Sequence, residues 1–157
     1  MIRGAYQQAD EVASDYLRHF AGHKDELEMK RIQGEARYGM KDYLASVASL
    51  DACTRASKTV SSVASLEEYV ASTPVSRRNA LYKLGMGYYH TGAFSKSVEA
   101  LGKATVERDA LSQNAYLHMG LAYLQLKERN QARMAFEQAS IGDYDKSVKE
   151  QALYNYA

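Results

Sequence analysis

The chain has 157 residues, with 20 lysines and arginines against 19 aspartates and glutamates, a formal net charge of +1, and no run of like charge beyond a pair or so. That balance argues against the concentrated basic face by which proteins hold nucleic acid or an anionic membrane surface. A single cysteine, Cys53, excludes an internal disulfide and any multi-cysteine metal site, and no apolar run approaches the roughly 18 residues of a membrane span.

With 46% hydrophobic residues the chain can build one real core. Helix-favouring residues, alanine and leucine foremost, are abundant and strand-like alternation is scarce, so the expected fold is all-α. Breakers and apolar spacing predict about nine helices, near 4–20, 25–39, 42–56, 59–72, 77–91, 93–107, 112–126, 129–140 and 146 to the end. Gly22 closes the first helix, Pro74 separates the fourth from the fifth, Gly92 turns the fifth into the sixth, and Gly142 precedes the ninth. The Ser- and Thr-rich stretch from Thr54 to Ser62 predicts a break between the third and fourth, because those side chains favour caps over helix interiors. Without that break the two would form one rod, since neither Gly nor Pro lies between Gly39 and Pro74. Short turns between helices of this length predict antiparallel neighbours, in a bundle or a stack.

A repeat chooses the stack. The pentapeptide SVASL occurs at Ser46–Leu50 and at Ser62–Leu66, SVEAL follows at Ser97–Leu101, and Ala132 and Phe136 fill the same slots in ARMAF. The last three are spaced by 35 residues. A second pattern alternates with it: LYKLGMGY at 81–88, YLHMGLAY at 116–123, and the start of a third in LYNYA at 153–157. Gly85, Gly120 and Ala157 are small where two helices of a hairpin touch, and Ser62, Ser97 and Ala132 are their counterparts on the facing helix. Leu66, Leu101 and Phe136 fill the space beside them. Gly85 and Gly120 are expected to accept alanine but not leucine.

These residues, with Pro74 eight positions after Leu66, resemble the tetratricopeptide repeat family. The resemblance implies a right-handed α-solenoid of antiparallel helix pairs, a single domain over 1–157 with divergent repeats in 1–61 and clear phase in 62–157. Counting continuously pairs the third helix with the fourth and is the preferred register. Local similarity pairs the second with the third instead, through Tyr43, Ser46 and Leu50. The stretches YLRHFAGHKDELEM and KEQALYNYA also look like tandem tetratricopeptide proteins of the bacterial envelope, which implies an envelope or periplasmic location and leaves the cytoplasm open. The ending ALYNYA suggests a piece of a longer chain, or an end through which copies associate.

No catalytic arrangement is evident, and neither an enzyme nor a cofactor is expected. His19 and His23 flank Gly22 without an HExxH glutamate, so they are expected to be polar helix-end groups. His90 and His118 could approach one another as hydrogen-bonded groove residues. The pairs Asp10 and Glu11, Glu26 and Glu28, and Glu67 and Glu68 are expected on solvated faces, and Cys53 as a small apolar filler.

A tetratricopeptide stack lines its concave surface with the first helix of each pair. By that resemblance the groove residues are Asn79, Tyr82, Met86 and Tyr89, then Asn114, Leu117, His118, Leu121, Leu124 and Gln125, then Gln151, Tyr154 and Asn155. Apolar, aromatic and amide groups stand where some relatives hold a C-terminal carboxylate with lysine, asparagine and arginine. The implied function is therefore a protein interaction module that grips an extended or helical peptide without a carboxylate clamp. A self-associating or spacer segment of a larger envelope assembly is the alternative.

Overall fold

A computed structural model describes residues 2–59 and 74–156. Eight helices occupy them: α1 (Ile2–His19), α2 (Glu26–Gly39), α3 (Tyr43–Thr59), α4 (Pro74–His90), α5 (Phe94–Ala104), α6 (Ala110–Gln125), α7 (Arg129–Ile141) and α8 (Lys146–Tyr156). The described residues contain no strand, so the chain is all-α there. The expected fourth helix and the second SVASL fall on residues 60–73, outside the described residues. The other helices are all present, each end within three residues of expectation. Pro74 opens α4, where its missing N–H and fixed φ cost nothing.

Two compact units divide the chain within α4: Met1–Gly87 and Tyr88–Ala157. In the first, α2 packs against both α1 and α3. A Cβ added at Gly34 would lie 2.5 Å from the Leu50 side chain, so only glycine allows this approach. Ser46 and Leu50 are fully buried, and the Ser46 hydroxyl donates to the Gly34 carbonyl at 2.8 Å. Further along, Lys83 of α4 pairs with Glu35 of α2 at 2.6 Å, and Gly87 lies against Val47 of α3. The first SVASL therefore belongs to the second helix of a hairpin whose first helix is α2. The α2–α3 packing is the one that local similarity implies; the preferred pairing of the third helix with the fourth falls on residues 60–73, outside the described residues. Gly34 and Gly85 are 51 residues apart, sixteen more than one period.

Polar side chains also tie the first unit together. Gln33 donates to Ser14 of α1 at 2.8 Å and accepts from Ser49 of α3 at 2.7 Å, while Arg37 reaches Asp10 at 2.7 Å and Ser49 at 3.2 Å. Asp10 is thus a half-buried cross-helix partner, where a solvated carboxylate was expected. Glu26 and Glu28 are half-buried as well and pair with Lys30 and Arg31.

In the second unit α6 packs against α5, α7 and α8, and α7 packs against α8. Leu117, Ala132, Phe136, Ala139, Val148 and Ala152 form its core. Gly120 faces Phe136 as Gly34 faces Leu50, sixteen residues on, with a hypothetical Cβ 2.5 Å from the ring. The hairpin turns repeat too. Lys41, Gly92 and Lys127 stand seven residues after Gly34, Gly85 and Gly120, and all have left-handed backbones, with φ of 65°, 78° and 62°. The next N–H, of Asp42, Ala93 or Glu128, donates to the carbonyl of Arg37, Tyr88 or Tyr123 at 2.8–2.9 Å. That is the six-to-one bond of a Schellman stop, satisfying a carbonyl the ended helix leaves open. Aspartates open the following helices: Asp109 accepts from the Ser112 N–H at 2.9 Å and Asp145 from Ser147 at 2.9 Å.

Candidate partner-binding face

An α-helix turns about 100° per residue, so neighbours in sequence serve different faces. Along α6 the buried positions Gln113, Leu117 and Gly120 fall on one stripe, and Asn114, His118 and Leu121 lie one residue further round. Leu117, 2% exposed, is part of the core around Phe136 and is not a groove residue. Met86 is likewise withdrawn, at 5% exposed, because α4 is buried at every position from 84 to 88 and leaves no open stripe there. Neither side chain is available to a partner.

The remaining expected positions divide between the units. Asn79 and Tyr82 are half-buried in the first. Burial and the neighbouring Tyr38 push the Tyr82 hydroxyl up to about 12, so it stays protonated and can donate. In the second unit Tyr89, Asn114, His118 and Leu121 are half-buried, and Leu121 leans on the core. Leu124, Gln125, Gln151, Tyr154 and Asn155 are exposed. Gln151 and Asn155 direct their amides at their own helix, to Ser147 Oγ at 3.4 Å and the Gln151 carbonyl at 2.7 Å.

The tightest assembly centres on Tyr89. Its ring meets His118 edge-on with centroids 5.4 Å apart, His90 at 5.6 Å and Phe94 at 5.8 Å, with ring planes inclined by 69–85°. Edge-to-face geometry of this kind fixes ring orientation as well as burying area. His118 Nδ1 lies 3.0 Å from the Asn114 carbonyl. A carbonyl only accepts, so Nδ1 carries the hydrogen and neutral Nε2 is left as an acceptor. Burial holds the imidazole below its ordinary range, aided by nearby His90 and opposed by the Asn114 bond. Burial lowers His90 too. Both rings are therefore neutral at pH 7, and the cluster offers apolar edges, a phenol and neutral imidazoles.

Sequence reading missed Phe94, which follows the Gly92 turn by two residues, and it missed Gln113, whose signal was a polar residue on the stripe of Leu117 and Gly120. The His90 and His118 rings each meet the ring of Tyr89. His19 and His23 are helix-end groups bonded to the Asp15 carbonyl and the Tyr16 hydroxyl, and Cys53 is buried. Among the described residues no three His, Cys, Asp or Glu side chains are grouped to hold a metal, and no helix is long and apolar enough to cross a membrane. Comparison with protein-family models, with curated proteins and with solved structures finds no match.

Proposed function

We propose that this is a tetratricopeptide-like protein interaction module, a right-handed α-solenoid of the bacterial envelope whose first-helix face binds a segment of a partner protein. The repeated glycine-to-large spacing of sixteen residues and the three matching turns support the repeat reading. The observation that carries the function is the ring cluster of Tyr89, His90, Phe94 and His118, half-exposed, uncharged and fixed before any partner arrives. Binding energy concentrates in a few rigid aromatic anchors, while surrounding contacts chiefly exclude water. No reaction and no cofactor enter this reading.

Tyr89→Ala is expected to weaken capture of a partner by about 1–2 kcal/mol, roughly 5- to 30-fold, with helix content unchanged. Affinity should change little between low and physiological salt, since screening acts on charged contacts. Titration calorimetry on a captured partner measures both, and an unaltered affinity in Tyr89→Ala would refute this face. Self-association is the second reading, favoured by Leu153, Tyr154 and Tyr156 standing exposed along α8. Light scattering separates the two, because only self-association raises the apparent mass with concentration.

A further inference from the structure

The ring cluster joins three helices of the second unit: Tyr89 and His90 end α4, Phe94 opens α5, and His118 stands midway along α6. Two of its four rings are imidazoles, which gain charge between about pH 5 and 8. His118 is half-buried and already commits its Nδ1–H to the Asn114 carbonyl at 3.0 Å. A second proton must therefore enter at Nε2 and make the ring a cation, which calls for water or a counter-ion. The surroundings supply no counter-ion. Around His118, α4 contributes Tyr89 and His90, and α5 contributes Phe94. The charges further along α5 are engaged elsewhere, Lys96 over the Tyr88 ring at 5.6 Å and Glu99 with Lys103. On α6 itself, α7 and α8 pack at the Leu117 stripe. Among the described residues the charge that acts on His118 is that of His90, which has the same sign.

We infer that the cluster is a proton-operated switch: with the histidines neutral the four rings hold Tyr89 in place, and protonation of His118 breaks its edge-on contact with Tyr89 and disperses them. As a control on partner capture this rests on the binding face proposed above, whereas the change in the free chain does not. Burial favours the neutral imidazole in the folded chain, so the unfolded chain takes up the proton first. The stability this site contributes is therefore complete above about pH 6.5 and is lost as the pH falls below it. A partner gripped by neutral rings is held at neutral pH and let go in acid, where two cations and an ordered tyrosine no longer fit together.

Proton and long-range ¹H–¹⁵N spectra of the whole labelled chain, recorded without a partner from about pH 8 to about pH 5, test the switch. His118 should show the Nδ1–H tautomer at neutral pH and a midpoint below the ordinary 6.5. The ring signals of Tyr89 and Phe94 should move with that midpoint while far-ultraviolet dichroism stays constant. His90→Gln, at an exposed position, should raise the His118 midpoint by removing a like charge. His118→Gln should abolish the pH response of the Tyr89 and Phe94 rings. A His118 midpoint at or above 6.5, the mark of a cation resting on the tyrosine face, would overturn the inference. Ring signals that ignore the midpoint, or that still respond in His118→Gln, would do the same, as would a midpoint unmoved in His90→Gln. Tyr89→Ala, measured on partner affinity at neutral pH, tests the binding face independently of the switch.

Discussion

Replacing Gln113 by leucine is expected to cost on the order of 3 kcal/mol or more, the largest effect of any single polar change in the second unit. The side chain is 3% exposed, yet its amide bonds nothing on α6. Nε2 donates to the Ala139 carbonyl at 3.1 Å and the Gly142 carbonyl at 2.7 Å, sharing a longer contact with Asp145, while Oε1 accepts from the Asp145 N–H at 2.8 Å. One amide therefore serves the backbone of the whole α7 to α8 connector. Leucine keeps the volume but strands these groups, and each buried group left unpaired costs about 1–3 kcal/mol. Because Asp145 also caps α8, loss of the clamp should loosen that helix before the rest. Urea denaturation reads the total and amide exchange reads α8. A midpoint within error of the parent would mean that the clamp is not formed in solution.

The second large effect lies at Gly120. A Cβ there would sit 2.5–2.8 Å from three ring atoms of Phe136, a side chain that is itself fully buried. The ring has no free space in which to retreat, so Gly120→Leu should exceed the usual overpacking cost of about 1–3 kcal/mol and abolish cooperative unfolding of the second unit. Alanine is not the harmless change its spacing suggested. The added methyl gains about 1 kcal/mol of helix propensity, and the clash should outweigh it, leaving a net loss of about 1 kcal/mol. Thermal melts of both variants check the order, leucine far below alanine and alanine below the parent.

How much was legible depended on which physical signal each residue carries. Helix positions were readable because Gly92 and Pro74 act through their own backbones, wherever the rest of the chain goes. The turns at Lys41 and Lys127 gave no such sign, since lysine has no preference for a left-handed backbone, and only their offsets from Gly34 and Gly120 link them to Gly92. The packing of α3 on α2 was hard to read for a related reason. SVASL at Ser46 and SVASL at Ser62 are the same letters, and a pentapeptide does not say which helix it faces. The Gly34 contact with Leu50 does, and it depends on distance in space.

Among the expected groove residues, Tyr89, Asn114 and His118 gather, but Leu117 and Met86 are core. A shift of one residue turns a helical side chain by about 100°, enough to exchange groove for core, so site residues fail where fold class does not. Gln113 was invisible because its partners are backbone carbonyls some 30 residues away, which no local pattern announces.

The face that carries Tyr89 and His118 exists only if Leu117, Gly120 and Phe136 turn inward. A double-mutant cycle on Gly120→Ala and Phe136→Leu, followed by urea denaturation, tests that register most directly. Each change alone should destabilise the chain, and the pair should cost less than the sum by about 1 kcal/mol, because the smaller side chain gives back the space the methyl takes. Strict additivity would mean that the two residues do not face each other, and it would contradict both the helix pairing and the binding face built upon it.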